Sequence, residues 1–236
     1  MEQKLKSEML SNLLKILLWV LVALGAASFL AIVIFWIDVD VFIEHVYPLA
    51  GIILDISSAY LYYIDVVIYL IWIYRVHMDL NRLYPHYPRT PGGALSCIMV
   101  PVYSLYGVPS VYLTIGTHFQ TEASKLKKEG RWVSGLAVPL LILLICANIL
   151  NQSVKRMEEP STALLFSTTL ANLILYVVFL MLCLKISQGL RSVNDSRNEN
   201  LHASQDAVPT EQADEGAQPV GWTASIENPN ATTREA

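Results

Sequence analysis

Asp65 is the side chain in this sequence best placed to do chemistry, because it interrupts an apolar run from Ser57 to Val76. A carboxylate at membrane depth costs about several kcal/mol unless it is paired, wetted or protonated. It therefore marks either interhelical hydrogen bonding or the handling of a proton or ion. Helical spacing puts Ser58, Tyr62, Asp65, Tyr69 and Trp72 on one stripe, while Leu61, Ile64, Ile68 and Ile71 mark a different, greasy face. Asp65 is expected to face the interior of a helix bundle.

Asn172 lies at comparable depth in a later apolar run, with Thr168, Thr169 and Tyr176 one turn away. A hydrogen bond to Asp65 from Asn172 or from a tyrosine hydroxyl is expected. Asn148 and Asn151 form a second polar stripe at i and i+3. Asp65, Tyr62, Tyr69, Asn172 and Asn148 make up the candidate intramembrane polar site. Its first reading is interhelical hydrogen bonding, and its second is transport or channel chemistry through Asp65.

A second group of residues points to lipid. Arg75, Arg82, Arg89, Lys125, Lys127, Lys128 and Arg131 bracket the segment 93–116, and together they can form one surface that attracts anionic headgroups. The alternative is that these charges only set topology. Tyr47, Tyr60, Tyr62, Tyr63, Tyr84 and Tyr87 cluster near the ends of apolar runs, as do Trp36, Trp72 and Trp132, which is the distribution of an interfacial aromatic belt.

Catalytic signatures are missing: the sequence holds no H-E-x-x-H, Walker A loop, G-x-S-x-G elbow or dinucleotide glycine fingerprint. The five histidines are scattered over connections and tail, and Cys97, Cys146 and Cys183 are far apart with no CxxC pairing. No metal, cofactor or nucleic-acid partner is expected, and the chain is read as a non-enzyme. The expected partners are membrane lipids, with another membrane protein or a second copy of the chain beside them.

The elements that position these residues follow from hydropathy. With 54% hydrophobic and 15% charged side chains in 236 residues, the composition is that of a polytopic membrane protein. Spans are expected over about 13–37, 57–76, 132–151 and 162–186. The first continues well past a typical signal h-region, so it is read as uncleaved. An acidic stretch, Asp38 to Asp55, broken by Pro48 and Gly51, reads as an interfacial helix or loop.

The fifth apolar stretch, 93–116, is the odd one out. It holds Pro101, Pro109 and Gly107, and the two prolines are expected to leave two half-helices, each too short to span. If it does not cross, thirteen Lys and Arg residues fall on the cytoplasmic side and only Lys155 and Arg156 outside; if it crosses, the split is eight against seven. The positive-inside bias selects four spans, a multi-pass protein of the plasma (inner) membrane with both termini cytoplasmic. The fold class is thus an all-α integral membrane protein of four transmembrane helices plus a Pro-broken re-entrant or interfacial segment. From Ser187 onward three basic residues face eight acidic ones, and this composition reads as a disordered acidic cytoplasmic tail, 187–236, beyond the membrane domain, 1–186.

Trp72, Tyr74 and Arg75 at the end of the second span, then Pro91-Gly92, Val100-Pro101 and Pro109, give the chain a resemblance to a known pattern. It resembles a family of uncharacterised bacterial multi-span membrane proteins, known only as a domain of unknown function, with a W-x-Y-R helix end followed by P-G-W and V-P blocks. The resemblance covers chiefly 57–120. Gly93 stands where that family usually has Trp, Cys97 and Ile98 where aromatic residues are common, and the late prolines are one residue further apart. The resemblance implies a multi-span bacterial membrane protein and a distinct role for 93–116, and brings no known activity or catalytic residues.

Overall fold

The computed structural model describes residues 5–122 and 126–206, with side chains described outside 49–59, 101–105, 122 and 200–206. Among the described residues every regular element is a helix. α1 (Glu8–Ile37) is followed by a short α2 (Val39–Val41) and a π-helical turn (Phe42–Val46), and then by α3 (Tyr47–Leu83). Next come α4 (Pro91–Met99), α5 (Pro101–Glu122), α6 (Lys127–Arg156) and α7 (Thr162–Asp206). One compact unit takes in the chain through Glu199.

Among the described residues four helical stretches are long and apolar enough to cross a membrane: Glu8–Ile37, Tyr60–Leu83, Lys127–Arg156 and Thr162–Glu199. Their outward faces carry large apolar side chains, with Ile16, Leu30, Val67 and Ile149 each more than half exposed. A hydrocarbon surround accounts for that much exposed apolar surface. The Tyr60–Leu83 stretch has the lowest mean hydropathy, 1.3 against at least 2.2 for the others, because it carries Asp65, Asp79 and the polar side chains packed around them.

α5 is not among the four, although 22 residues at about 1.5 Å each could cover the distance. It is instead wrapped by protein: Val111, Tyr112, Ile115 and Phe119 are all fully buried. The segment leaves and returns at the same end of the bundle. It enters beside the end of α3, where Asn81 Nδ2 donates to the Arg89 carbonyl at 2.8 Å. It comes back with His118, whose ring meets Tyr84 at 4.6 Å and Tyr87 at 5.2 Å. The chain is therefore an all-α protein with a proline-broken re-entrant pair, α4 and α5, between its second and third long apolar helices.

Local sequence explains the break. Thr90 caps α4 by accepting from the Gly93 amide at 3.1 Å, and Pro91 occupies the first turn, where its missing N–H leaves no bond unmade. Pro101 forces Val100 into extended backbone (φ −80°, ψ 116°), and the helix restarts at Pro101. Pro109, expected to break the segment again, lies inside an uninterrupted α5. Packing by neighbouring helices supports a proline-containing helix at this depth.

Two further differences from the sequence reading have similar causes. Residues 47–57 continue α3 instead of forming a separate interfacial element, since Pro48 sits in the first turn, where a proline is tolerated. Residues 187–206 continue α7 instead of beginning a disordered tail. Ile186, Leu190 and Val193 form a stripe at helical spacing that is buried or partly buried, and Gly189 leaves room for the Phe119 ring. Arg191 pairs with Glu8 at 2.9 Å, and Arg197 donates to the Arg82 carbonyl at the end of α3 at 3.2 Å. The rest of the expected tail, 207–236, lies outside the described residues.

α5 and α6 form an antiparallel hairpin that meets backbone to backbone. A Cβ added at Gly116 would lie 2.6 Å from the Ser134 nitrogen, and one at Gly130 would lie 2.6 Å from the Gly116 carbonyl oxygen. Gly130 and Ser134 are one turn apart, the small-xxx-small spacing of close membrane helix pairs. Gln120 Nε2 donates to Ser134 Oγ at 2.9 Å across the same seam. Gly116→Ala and Gly130→Ala are each expected to cost about 1–3 kcal/mol through overpacking. Gly135→Ala, where nothing lies within 4 Å, is expected to gain up to about 1 kcal/mol. Thermal unfolding of the three variants in detergent checks the contrast.

Candidate functional site

Asp65, Tyr62 and Tyr69 line one interior cavity of about 90 Å³, bounded by α1, α3, α5, α6 and α7. Asp65 is only 5% exposed, and neither carboxylate oxygen has a hydrogen-bond partner among the described residues. Around it stand Tyr62, Tyr69 and Trp72 of α3, Tyr112 of α5, and Tyr176 and Phe179 of α7. Tyr69 and Tyr112 share a hydroxyl hydrogen bond at 2.6 Å, and the Tyr69 ring meets Phe179 edge-on at 5.5 Å. The carboxylate faces the space with no hydrogen-bond partner among the described residues.

The other two residues of the sequence-derived polar site go elsewhere. The bond expected from Asn172 to Asp65 does not form: Asn172 and Asn151 exchange amide hydrogen bonds at 3.2 and 3.3 Å, tying α7 to α6. Asn148, one turn before Asn151 on α6, is exposed. Thr168 and Thr169 satisfy their hydroxyls on their own helix, donating to the Leu164 and Leu165 carbonyls at 2.7 and 2.9 Å.

The same face of α3 carries a second buried carboxylate that the sequence reading passed over. Asp79, 2% exposed, accepts from the backbone amides of Ser7 at 2.8 Å and Lys6 at 3.2 Å. It thereby caps α1 from another helix, placing a negative charge at the positive end of the helix dipole. One turn and more deeper, Trp72 Nε1 donates to Ser11 Oγ at 2.8 Å. Asp65, Trp72 and Asp79 follow one another at i, i+7 and i+14, so the stripe already seen at Asp65 extends two turns further.

At that end of the bundle lies a compact aromatic and basic cluster. The His77 ring, fully buried, has Nδ1 2.9 Å from the Ile73 carbonyl and meets Tyr87 at 5.7 Å, and Tyr87 in turn meets His118. Burial holds the Tyr87 phenol above its ordinary range, with the Arg89 charge pulling the other way, so it remains a neutral donor. Arg89 turns inward and donates to Ser110 Oγ of α5 at 2.7 Å. No spacing rule joins residues 77, 87, 89 and 118, which is why sequence alone left them scattered.

The expected basic surface is thus divided. Arg89 is spent on α5, Arg75 is half-buried, Arg82 is exposed, and Lys125 lies outside the described residues. Lys127, Lys128 and Arg131 come together on the first turns of α6, where with Trp132, Gly135 and Leu136 they line an open groove of about 690 Å³. Cys97, Cys146 and Cys183 are unpaired, and among the described residues no cluster of three or more His, Cys, Asp or Glu is placed to hold a metal ion.

Fold and site together define an all-α bundle of membrane type, with an interior cavity at one carboxylate and a cationic groove at one end. No family model, no curated protein and no solved structure matches the chain.

Asp79→Asn keeps one acceptor for the α1 amides and removes the charge, so it is expected to lower stability by about 0.5–2 kcal/mol. Trp72→Phe strands the Ser11 hydroxyl and is expected to cost about 1–3 kcal/mol. Unfolding of each variant in detergent checks both values, and a double variant tests whether the two contacts act as one lock on α1.

Proposed function

We propose that the protein is a non-enzymatic, multi-pass component of the plasma membrane, with both termini cytoplasmic, that holds anionic lipid at its basic end. The observation that carries this reading is the groove on α6. Three cations, Lys127, Lys128 and Arg131, line it together with the half-exposed Trp132 and the apolar Gly135 and Leu136, which follow them along the helix. A phosphate headgroup suits the upper part and an acyl chain the lower, with the indole at the level between them. Among the described residues no side chain caps the first turn of α6, so its amide groups add donors for a phosphate. The Glu8–Arg191 pair, which brings the start of α1 beside α7, supports both termini lying on one side. A resemblance to bacterial multi-span proteins of unknown function is compatible with this role and adds no activity to it.

The test is native mass spectrometry of the full chain released from vesicles of mixed phosphatidylglycerol and phosphatidylcholine. The wild-type protein is expected to retain phosphatidylglycerol preferentially. The triple variant Lys127→Gln, Lys128→Gln, Arg131→Gln is expected to lose that preference by roughly tenfold or more, at about 1 kcal/mol per cation. High salt should weaken retention in the wild type. Equal retention by wild type and triple variant at low salt would overturn the lipid reading.

A further inference from the structure

We propose that the cavity at Asp65 is a binding site for a small organic ammonium ion, of the class of methylated amines, held by the carboxylate and the surrounding aromatic rings. This is separate from the lipid groove and does not depend on it.

The first argument is the carboxylate. Asp65 is more than nine-tenths buried, lines the cavity, and has both oxygens without a partner among the described residues. A buried acceptor of this kind calls for a donor or a cation. Among the described residues no group stands within hydrogen-bond distance of its oxygens. Lys15, on the helix that contributes Leu14 and Leu18 to the wall, makes no ion pair with Asp65. The hydroxyls of Tyr69 and Tyr112 are bonded to each other.

The second argument is the wall. Six aromatic rings and a set of aliphatic side chains line the space, and the negative faces of aromatic rings attract a cation with little hydration of its own. A carboxylate among such rings pairs with an N–H of an ammonium while its methyl groups rest on the rings. An anion would be repelled by Asp65, and an apolar ligand would leave its oxygens unpaired. A calcium-like or magnesium-like ion needs several oxygen ligands, and one carboxylate with phenols does not furnish them. A volume of about 90 Å³ accommodates a group of roughly four to six heavy atoms.

The third argument is access. Tyr62 and Val66, on the rim, are 43% and 36% exposed, so the cavity reaches the surface between α3 and its neighbours without passing through the packed α5–α6 seam. The outward side chains of that stretch are aromatic and aliphatic, and an amine can enter there in its neutral form and take the proton of the Asp65 carboxyl, leaving an ammonium paired with a carboxylate.

The experiment uses the full chain purified in detergent and radiolabelled methylammonium as the probe, in equilibrium dialysis at constant ionic strength. The proposal expects saturable binding approaching one per chain, displaced by dimethylammonium and trimethylammonium and far less by sodium. Asp65→Asn keeps the shape and removes the charge, and it is expected to weaken binding by at least about tenfold, the order of a lost charge-assisted contact. Asp38→Asn, at the exposed cap of α2, is expected to bind as the wild type does. The absence of saturable binding to the wild-type protein would overturn the proposal without reference to any variant. So would binding that sodium displaces as well as trimethylammonium does, or binding unchanged in Asp65→Asn.

Discussion

A peptide backbone surrounded by hydrocarbon has no water to bond with, so any helix break at that depth must be enclosed by protein. The chain breaks at Val100–Pro101, where Met99 and Val100 are half or more exposed, and protein encloses the helix that follows through Val111, Tyr112, Ile115 and Phe119. α4 and α5 fold back on one another so tightly that a side chain at Gly107 would fall on the Cys97 carbonyl. α5 then packs into α6 through Gly116 and Gly130, and its Phe119 ring fits against Gly189 of α7. The least membrane-like of the apolar segments thus has a fully buried stripe from Val111 to Phe119. The long helices that wrap it present their greasy faces outward.

Enclosing α5 also decides where polar groups can go. Its buried face brings Tyr112 to Tyr69 and Ser110 to Arg89, while the α3 stripe that holds Tyr69 also carries two carboxylates. Asp79 is used structurally, tied to the amides at the start of α1. Asp65, about four turns of the helix away from it, has no such partner among the described residues. Two carboxylates on one helix face therefore have different standing, one satisfied by backbone and one left open toward a cavity. That difference, more than the presence of acidic residues in a span, separates a structural contact from a candidate binding group.

Much of this was legible in the sequence because it rests on periodicity and composition. The four long apolar helices, the inward stripe through Tyr62, Asp65, Tyr69 and Trp72, and the distinct character of 93–116 all follow from hydropathy and proline placement. What was not legible depends on partners far away in the chain. Asn172 finds Asn151 in preference to Asp65, a choice set by helix rotation. His77, Tyr87 and His118 meet only because the re-entrant pair returns to its starting end. The continuation of α7 past Ser187 rested on a modest stripe, Ile186, Leu190 and Val193, which the acidic composition further along concealed.

The central claim is that the segment between α3 and α6 enters and leaves at one side of the membrane. It is tested most directly by cysteine accessibility in a variant lacking Cys97, Cys146 and Cys183, with single cysteines placed at Thr117, Ser153 or Ser196. The four-span account predicts that Thr117 and Ser196 label from the cytoplasmic side and Ser153 from the outside. Labelling of Thr117 and Ser196 from outside, with Ser153 from the cytoplasm, would contradict it and make α5 a fifth crossing.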